Sequence, residues 1–199
     1  MRGAFTSLAA ADLDADGVPD FAGADRFTGN ARIAVLDRSA AVRSEGDLPA
    51  GLLPSGAVVG RFDEGESPDL AVACSGSSQV AIFLNDGRGT FSEAGRPATI
   101  ARPRCLAAGG LDGDACADLV VLSDGGLVLN YGLGGGTFGS PVAQPADQGG
   151  RYVDIAVAYA GGEGVMDLVA LDAIGAAARS TDRDRRRWRH SWSRWNSRN

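Results

Sequence analysis

The sequence contains no lysine, one histidine, three cysteines and no long apolar run. Without a run of about 18 apolar residues, it offers no membrane-spanning segment. Cys74, Cys105 and Cys116 are too few, and odd in number, for the disulfide framework of a small secreted domain. The opening residues MRGAFTSL lack the apolar core and cleavage site of a secretory signal, so we expect no signal peptide in this chain.

The scarcity of histidine also limits the catalytic chemistry that the sequence can support. The only histidine, His190, lies in the last ten residues, so the cysteines earlier in the chain have no neighbouring histidine base. The conspicuous carboxylates lie in loops that are better explained by metal binding, and no tyrosine pairs with an acidic residue. We therefore predict that the chain is not an enzyme.

The net charge of -6 combines two unlike segments. Residues 179–199 hold eight arginines and two aspartates, a local charge of +6, whereas the remaining chain holds 11 arginines and 23 acidic residues, a charge of -12. An acidic body argues against nucleic acid as a partner and is compatible with binding of divalent cations.

One local pattern returns at a fixed interval. Its anchor is an aspartate that precedes an apolar run, and successive anchors at Asp20, Asp69, Asp118 and Asp167 are 49 residues apart. The first three copies read ADLDADGVPDFAGA, GRFDEGESPDLAVA and GGLDGDACADLVVL, and the fourth reads YAGGEGVMDLVAL. An internal repeat of about 40 to 50 residues is typical of propeller blades or of a solenoid.

Each repeat consists of short apolar runs between Gly, Asn and Asp, without helical periodicity. We predict three strands in each complete repeat, at residues 7–13, 20–24 and 32–36, then 57–62, 70–74 and 79–84, then 105–111, 119–123 and 127–131. A weaker fourth strand is predicted at 40–43, 98–101 and 142–144. Phe91 and Phe138 each follow a glycine-rich turn, and we expect both to pack between adjacent sheets. The glycine run at 132–136 is predicted as a hairpin turn, since a phosphate loop would continue with lysine and a helix. Four-stranded antiparallel meanders of this kind make an all-β fold of β-propeller blades.

The opening copy, DLDADGVPD, has the composition of a cation-binding loop. Carboxylates stand at its positions 1, 3, 5 and 9, and Gly17 at position 6 permits a sharp turn. The predicted ligands are Asp12, Asp14, Asp16, the backbone carbonyl of Val18, and Asp20. Such residues also form turns without a metal. Four carboxylates within nine residues repel one another, however, and oxygen ligands favour calcium, so we predict a Ca²⁺ site that stiffens the loop.

The later copies keep fewer carboxylates at these four positions. Those retained are Asp112, Asp114 and Asp118 with the carbonyl of Cys116 in the third copy, Asp63 and Asp69 in the second, and Glu163 and Asp167 in the fourth. We predict a second cation in the third copy, where water can complete the shell. In the second copy Asp63 and Asp69 are weaker candidates, since Arg61 can supply the positive charge instead, and we predict no metal in the fourth.

The loop DLDADGVPD, followed by an apolar strand and, further along, by NDGRGTF, resembles the FG-GAP/VCBS-type repeat. The resemblance covers residues 4 to 173. It implies calcium-bearing β-propeller blades, as in integrin α chains and many bacterial surface or secreted proteins, and therefore an extracellular, periplasmic or cell-surface location. The blades implied are 4–52, 53–101, 102–150 and a partial fourth at 151–175, an incomplete ring whose remaining blades belong to a longer chain.

A propeller of this kind leads us to expect a scaffold that binds a protein or a glycan through its connecting loops. Two alternatives remain open at this point. One is the propeller domain of a calcium-dependent polysaccharide lyase or glycosidase, which predicts acids or tyrosines converging on a central channel. The other is a lectin-like sugar-binding module, which predicts an equivalent aromatic in every blade.

Residues 176–199 differ in composition from everything before them and contain all three tryptophans. We predict that the stretch TDRDRRRWRHSWSRWNSRN is a disordered or out-of-frame tail, and the alternative is a functional basic segment. The nucleotide sequence tests the out-of-frame hypothesis, which requires another frame beyond Ala173 to encode a further repeat.

Overall fold

All the regular structure described is β. A computed structural model describes residues 4–97, 99, 101–145, 152–158, 166–172, 176–180 and 191–194, and over these residues it contains no helix. No helix in this described part of the chain is long and apolar enough to cross a membrane. The predicted all-β class is therefore confirmed.

The strands form four successive four-stranded antiparallel sheets. Sheet 1 contains β1 (Phe5–Ala11), β2 (Asp20–Asp25), β3 (Asn30–Leu36) and β4 (Val42–Pro49). Sheet 2 contains β5 (Pro54–Gly60), β6 (Asp69–Cys74), β7 (Gln79–Asn85) and β8 (Phe91–Gly95). Sheet 3 contains β9 (Pro103–Gly109), β10 (Asp118–Ser123), β11 (Gly126–Asn130) and β14 (Val142–Pro145), and β12 (Gly132–Gly134) pairs with β13 (Thr137–Phe138) as a separate hairpin. Sheet 4 contains β15 (Tyr152–Ala158), β16 (Asp167–Asp172), β17 (Ala176–Ser180) and β18 (Ser191–Arg194).

The strand pairing in the structure repeats with the same 49-residue interval as the sequence. In every sheet the anchor aspartate opens the second strand and lies opposite the last residue of the first strand. The four pairs are Ala11 with Asp20, Gly60 with Asp69, Gly109 with Asp118, and Ala158 with Asp167. The loop before each anchor therefore occupies the same place in its sheet.

Adjacent sheets pack face to face in chain order. The cluster between sheets 1 and 2 joins alternate residues of the central strands, Ala22, Ala24, Ile33 and Val35 with Leu70, Val72, Ala81 and Phe83. Similar clusters join sheet 2 to sheet 3 and sheet 3 to sheet 4. Because side chains alternate across a strand, sheets 2 and 3 bury both faces of their central strands.

The predicted aromatic packing is confirmed. Phe91 packs against the cluster between sheets 1 and 2, and Phe138 packs against the cluster between sheets 2 and 3. The ring centroids of Phe138 and Phe62 lie 5.8 Å apart with a tilt of 57°, a favourable aromatic geometry. The glycine run at 132–136 is a hairpin turn, as predicted, with positive φ at Gly134, Gly135 and Gly136.

Several predicted strand bounds were wrong. The fourth strand of the second repeat is Phe91–Gly95 rather than 98–101, of which residues 98 and 100 lie outside the described part. The reason is the turn before it, where the Asp86 N–H donates to the Thr90 carbonyl at 3.0 Å, and pairing with β7 begins at once. The fourth strand of the first repeat is Val42–Pro49 rather than 40–43, and first strands end two residues earlier than predicted.

Sheet 4 extends further than the partial fourth repeat expected from the sequence. Residues 176–180 and 191–194, which fall in the arginine- and tryptophan-rich stretch, are strands β17 and β18. Strand β17 pairs with the free edge of β16, which supplies the unpaired backbone groups that a further strand needs. The out-of-frame origin of this stretch stays a prediction.

Candidate metal-binding loop

The loop at residues 12–20 connects β1 to β2 and is shaped by hydrogen bonds from its backbone N–H groups to its own aspartates. The Gly17 N–H donates to Asp12 Oδ2 at 2.8 Å, and the Val18 N–H donates to Asp16 Oδ1 at 2.8 Å. The backbone takes positive φ at Ala15 (62°) and Gly17 (86°). The loop thus turns twice through the left-handed region, which glycine tolerates better than alanine.

Three of the four predicted carboxylates come together. One oxygen from each of Asp12, Asp14 and Asp20 lies within 4.8 Å of the others. Asp16 is outside this group, and one of its oxygens accepts from Val18. In the part of the chain that the structure describes, no other group of three acidic, histidine or cysteine side chains meets the same condition.

The donor set of this group fits a calcium ion. All three side chains offer hard carboxylate oxygens, the type of ligand that calcium and magnesium prefer over transition metals. A positively charged side chain already contacts the group, since Arg43 Nη1 lies 3.2 Å from Asp14 Oδ2. The Asp14 side chain is only 4% exposed, so its charge is poorly screened by water.

The anchor aspartate has a second role, which is the same in three repeats. Asp20 Oδ2 accepts from the Leu13 N–H at 2.8 Å, and Asp20 Oδ1 accepts from the Leu36 N–H at 2.7 Å. The carboxylate therefore ties the chain just after β1 to the last residue of β3. Asp69 and Asp118 repeat the arrangement, Asp69 with the N–H groups of Phe62 and Asn85, and Asp118 with those of Leu111 and Gly132. All three aspartates are fully buried.

The third loop has the same local shape without the same convergence. Asp112 Oδ1 accepts from the Asp114 N–H at 3.2 Å, and Asp114 Oδ1 accepts from the Cys116 N–H at 3.0 Å. Burial, together with the nearby carboxylates of Asp112 and Asp114, raises the pKa of Asp118 to about 6, although two backbone N–H groups oppose the shift. Gly113 supplies the positive φ (83°) that Ala15 takes in the first loop. A second cation here stays a prediction.

The second and fourth loops are poorer in ligands. Asp63 Oδ1 accepts from the Gly65 N–H at 2.7 Å, and Asp69 is the buried anchor, whose pKa is raised by burial. Arg61 is exposed and makes no ion pair among those found in the described residues. In the fourth loop Glu163 lies outside the described residues, and Asp167 opens β16.

The first and second loops are also covered by the glycine-rich turn of the following repeat, a contact that sequence reasoning missed. The Leu13 carbonyl accepts from the Gly89 N–H and from Asn85 Nδ2, both at 2.9 Å. One repeat later, the Phe62 carbonyl accepts from the Gly136 N–H at 2.9 Å. The sequence signal was the Gly-Thr-Phe motif, which follows strand three in both of these repeats. Arg43, the other missed residue, left no such signal.

Comparison with known proteins identifies a similar fold but no family. No family model matches the sequence, and no curated protein matches it. An Agrocybe aegerita lectin, described as recognising non-reducing terminal N-acetylglucosamine, is similar with a TM-score of 0.57 and 18% identity, over 81% of this chain and 45% of the lectin. The Photorhabdus luminescens Tc holotoxin pore is similar with a TM-score of 0.50 and 20% identity, over 82% of this chain and 8% of that one. The chain thus spans less than half the length of the lectin, and at these identities the similarity concerns the fold alone.

Proposed function

We propose that the chain is a non-enzymatic, calcium-binding scaffold built from β-propeller blades of the FG-GAP/VCBS type. The observation that carries the proposal is the convergence of Asp12, Asp14 and Asp20 within 4.8 Å at the junction of two strands. Because a carboxylate of this group also holds the chain just after β1 and the last residue of β3, a bound cation would stiffen the sheet. A structural role for the metal follows from that coupling.

Thermal unfolding during a calcium titration tests this proposal. At 100 times its Kd, calcium should stabilise the folded chain by about 2.7 kcal/mol. For a chain of this length that corresponds to an increase in Tm of roughly 5–10 °C. The increase should disappear on addition of a chelator.

Two matched variants locate the effect. Asp14→Asn removes one carboxylate charge from the converging group and should abolish most of the calcium-dependent increase in Tm. Asp63→Asn makes the same chemical change in the second loop, where only two of the four ligand positions keep a carboxylate, and should keep the increase. A wild-type Tm that does not respond to calcium would show the proposal to be wrong.

The free face of sheet 1 supports the proposal that this chain belongs to a larger propeller. Phe21 is the second residue of β2, and Leu70 and Leu119 are the equivalent residues of β6 and β10. Each lies opposite a residue of the third strand of its sheet. Those leucines are fully buried against the preceding sheet, whereas Phe21 is 36% exposed and Leu8, on the same face, is 62% exposed. We propose that this face receives another sheet of the same repeat, from the remainder of a larger propeller at the cell surface or outside the cell.

Glycan recognition is the second candidate, and the similarity to an N-acetylglucosamine-recognising lectin favours it. A groove of about 520 Å³ on the free face of sheet 1 has the mixed character of a sugar site. Phe5 and Phe21 supply aromatic faces, and Arg32, which contacts Asp47 at 2.9 Å and Glu45 at 3.7 Å, supplies hydrogen-bonding groups. A docked sheet and a sugar cannot share this groove.

A calorimetric titration with N-acetylglucosamine distinguishes between a docked sheet and a sugar as the occupant of this groove. If the groove binds sugar, wild-type protein should show saturable binding that Phe21→Ala weakens and that Asp63→Asn leaves unchanged. No binding by the wild-type protein would remove the glycan candidate and leave the scaffold proposal intact.

A further inference from the structure

Arg43 is directed at the candidate metal-binding loop by an irregularity in sheet 1. In the pairing of β3 with β4, Val35 lies opposite Ser44 and Leu36 lies opposite Val42, so Arg43 has no partner across the ladder. An extra residue of this kind is a β-bulge, which bends the strand and re-aims a side chain. Arg43 is the residue that this bulge re-aims.

The bulge places a permanent positive charge against a nearly buried carboxylate of the loop. Arg43 Nη1 lies 3.2 Å from Asp14 Oδ2, and the Arg43 side chain is 60% exposed whereas that of Asp14 is 4% exposed. Asp14 Oδ1 is already engaged, at 3.3 Å, by the Asp16 N–H. The guanidinium therefore holds the other oxygen of a carboxylate that belongs to the converging group.

A second guanidinium lies nearby but binds differently. Arg38 Nη2 donates to the Asp16 carbonyl at 3.4 Å, so it contacts the backbone of the loop rather than a carboxylate. The bulge is also tied to the anchor, because the Leu36 N–H donates to Asp20 Oδ1 at 2.7 Å. Strand β3 thus connects the Arg43 bulge to the converging carboxylates.

We propose that Arg43 is a built-in counter-ion that opposes calcium at this loop and sets the affinity of the site. The inference rests on the proposed calcium binding. A guanidinium stays charged at any physiological pH, so its repulsion of a neighbouring divalent cation is constant. Without calcium, the same contact neutralises part of the charge of Asp14 and stabilises the loop.

A charge series at position 43 tests this inference. Calcium affinity, measured by calorimetry, should rise from wild type to Arg43→Gln to Arg43→Glu, by about two- to five-fold for each charge step, the range that exposed ion pairs show. Arg43→Lys keeps the charge and should keep the affinity near that of wild type. In chelator, Arg43→Gln should have a lower Tm than wild type, because it loses the contact with Asp14.

Arg104→Gln is the matched control. Arg104 lies on β9 in sheet 3 and pairs with Asp124 at 3.9 Å, so its removal makes the same charge change away from the loop. It should leave calcium affinity unchanged. If wild type binds calcium but Arg43→Gln binds it equally or more weakly, the inference is wrong and the proposed function stands. If neither wild type nor the variants bind calcium, the proposed function fails and the inference fails with it.

Discussion

Replacement of Asp69 by asparagine separates the backbone role of the anchor aspartate from metal binding. Asp69 lies in the second loop, where only one other predicted carboxylate ligand remains, and it is fully buried. Its two oxygens accept from the Phe62 N–H at 2.7 Å and from the Asn85 N–H at 2.9 Å. An asparagine side chain of the same shape offers one acceptor and one donor, so one backbone N–H loses its partner.

The expected cost follows from the groups left unpaired. A buried donor without a partner costs about 1–3 kcal/mol, and Asp69→Asn creates two of them, the backbone N–H and the new amide N–H. Part of this cost is offset, because burial disfavours the ionised carboxylate and raises the pKa of Asp69. We expect a net loss of about 2 kcal/mol in the free energy of unfolding, or a Tm lower by roughly 4–8 °C.

Far-UV circular dichroism during heating, with calcium and with chelator, measures this loss. The loss should be equal in both conditions, since the role of Asp69 is to join strand ends. Asp63→Asn, a half-buried position in the same loop that accepts only from Gly65, should cost less than about 0.5 kcal/mol. A variant Tm within about 1 °C of wild type, or a loss that vanishes in chelator, would refute the reasoning.

Three further predictions concern other parts of the molecule. Ala15→Gly relieves a left-handed backbone that Gly113 already occupies in the third loop, and it should raise the free energy of unfolding by up to about 1 kcal/mol in urea denaturation. In chelator, the free energy of unfolding should fall as the pH rises from 3.8 to about 6, because burial raises the pKa of Asp118 and the folded chain holds a proton that the unfolded chain releases. The upper limit of this decrease is about 3 kcal/mol. Asp118→Asn, which cannot titrate, should flatten the decrease. Burial raises the pKa of Cys74 to about 11, so at pH 8 only about one thiol in a thousand is ionised, and a disulfide reagent should modify Cys74 only after unfolding.

The sequence was sufficient for the repeat and its register. The aspartate anchors predicted where each second strand begins, because an apolar run after a turn-forming loop has one placement that buries alternate side chains. The same reasoning placed Phe91 and Phe138 between sheets. These features depend on residues close together in the chain, where spacing alone fixes the geometry.

Contacts between distant residues could not be predicted in this way. Arg43 reaches Asp14 through a bulge in β4, and nothing in the local sequence marks the unpaired position. The cover of the first loop by Asn85 and Gly89 depends on how sheet 2 packs on sheet 1. The exclusion of Asp16 from the converging carboxylates likewise depends on the path of the backbone, which the order of aspartates leaves open.

The anchor aspartate accepts hydrogen bonds from the backbone in addition to being a proposed metal ligand. This explains why the second and third loops keep the anchor but lose carboxylates at other ligand positions. Asp20, Asp69 and Asp118 each satisfy two backbone N–H groups, one just after strand one and one at or just after the end of strand three, and that need exists whether or not a cation is bound. The carboxylates at positions 1, 3 and 5 bond mainly to amides within their own loop. Their loss would therefore remove proposed metal ligands without disturbing the register of the sheet, whereas loss of the anchor would leave buried donors in each of these three repeats. Metal binding can accordingly vary from sheet to sheet within one fold, and the first loop is where the carboxylates needed for it converge.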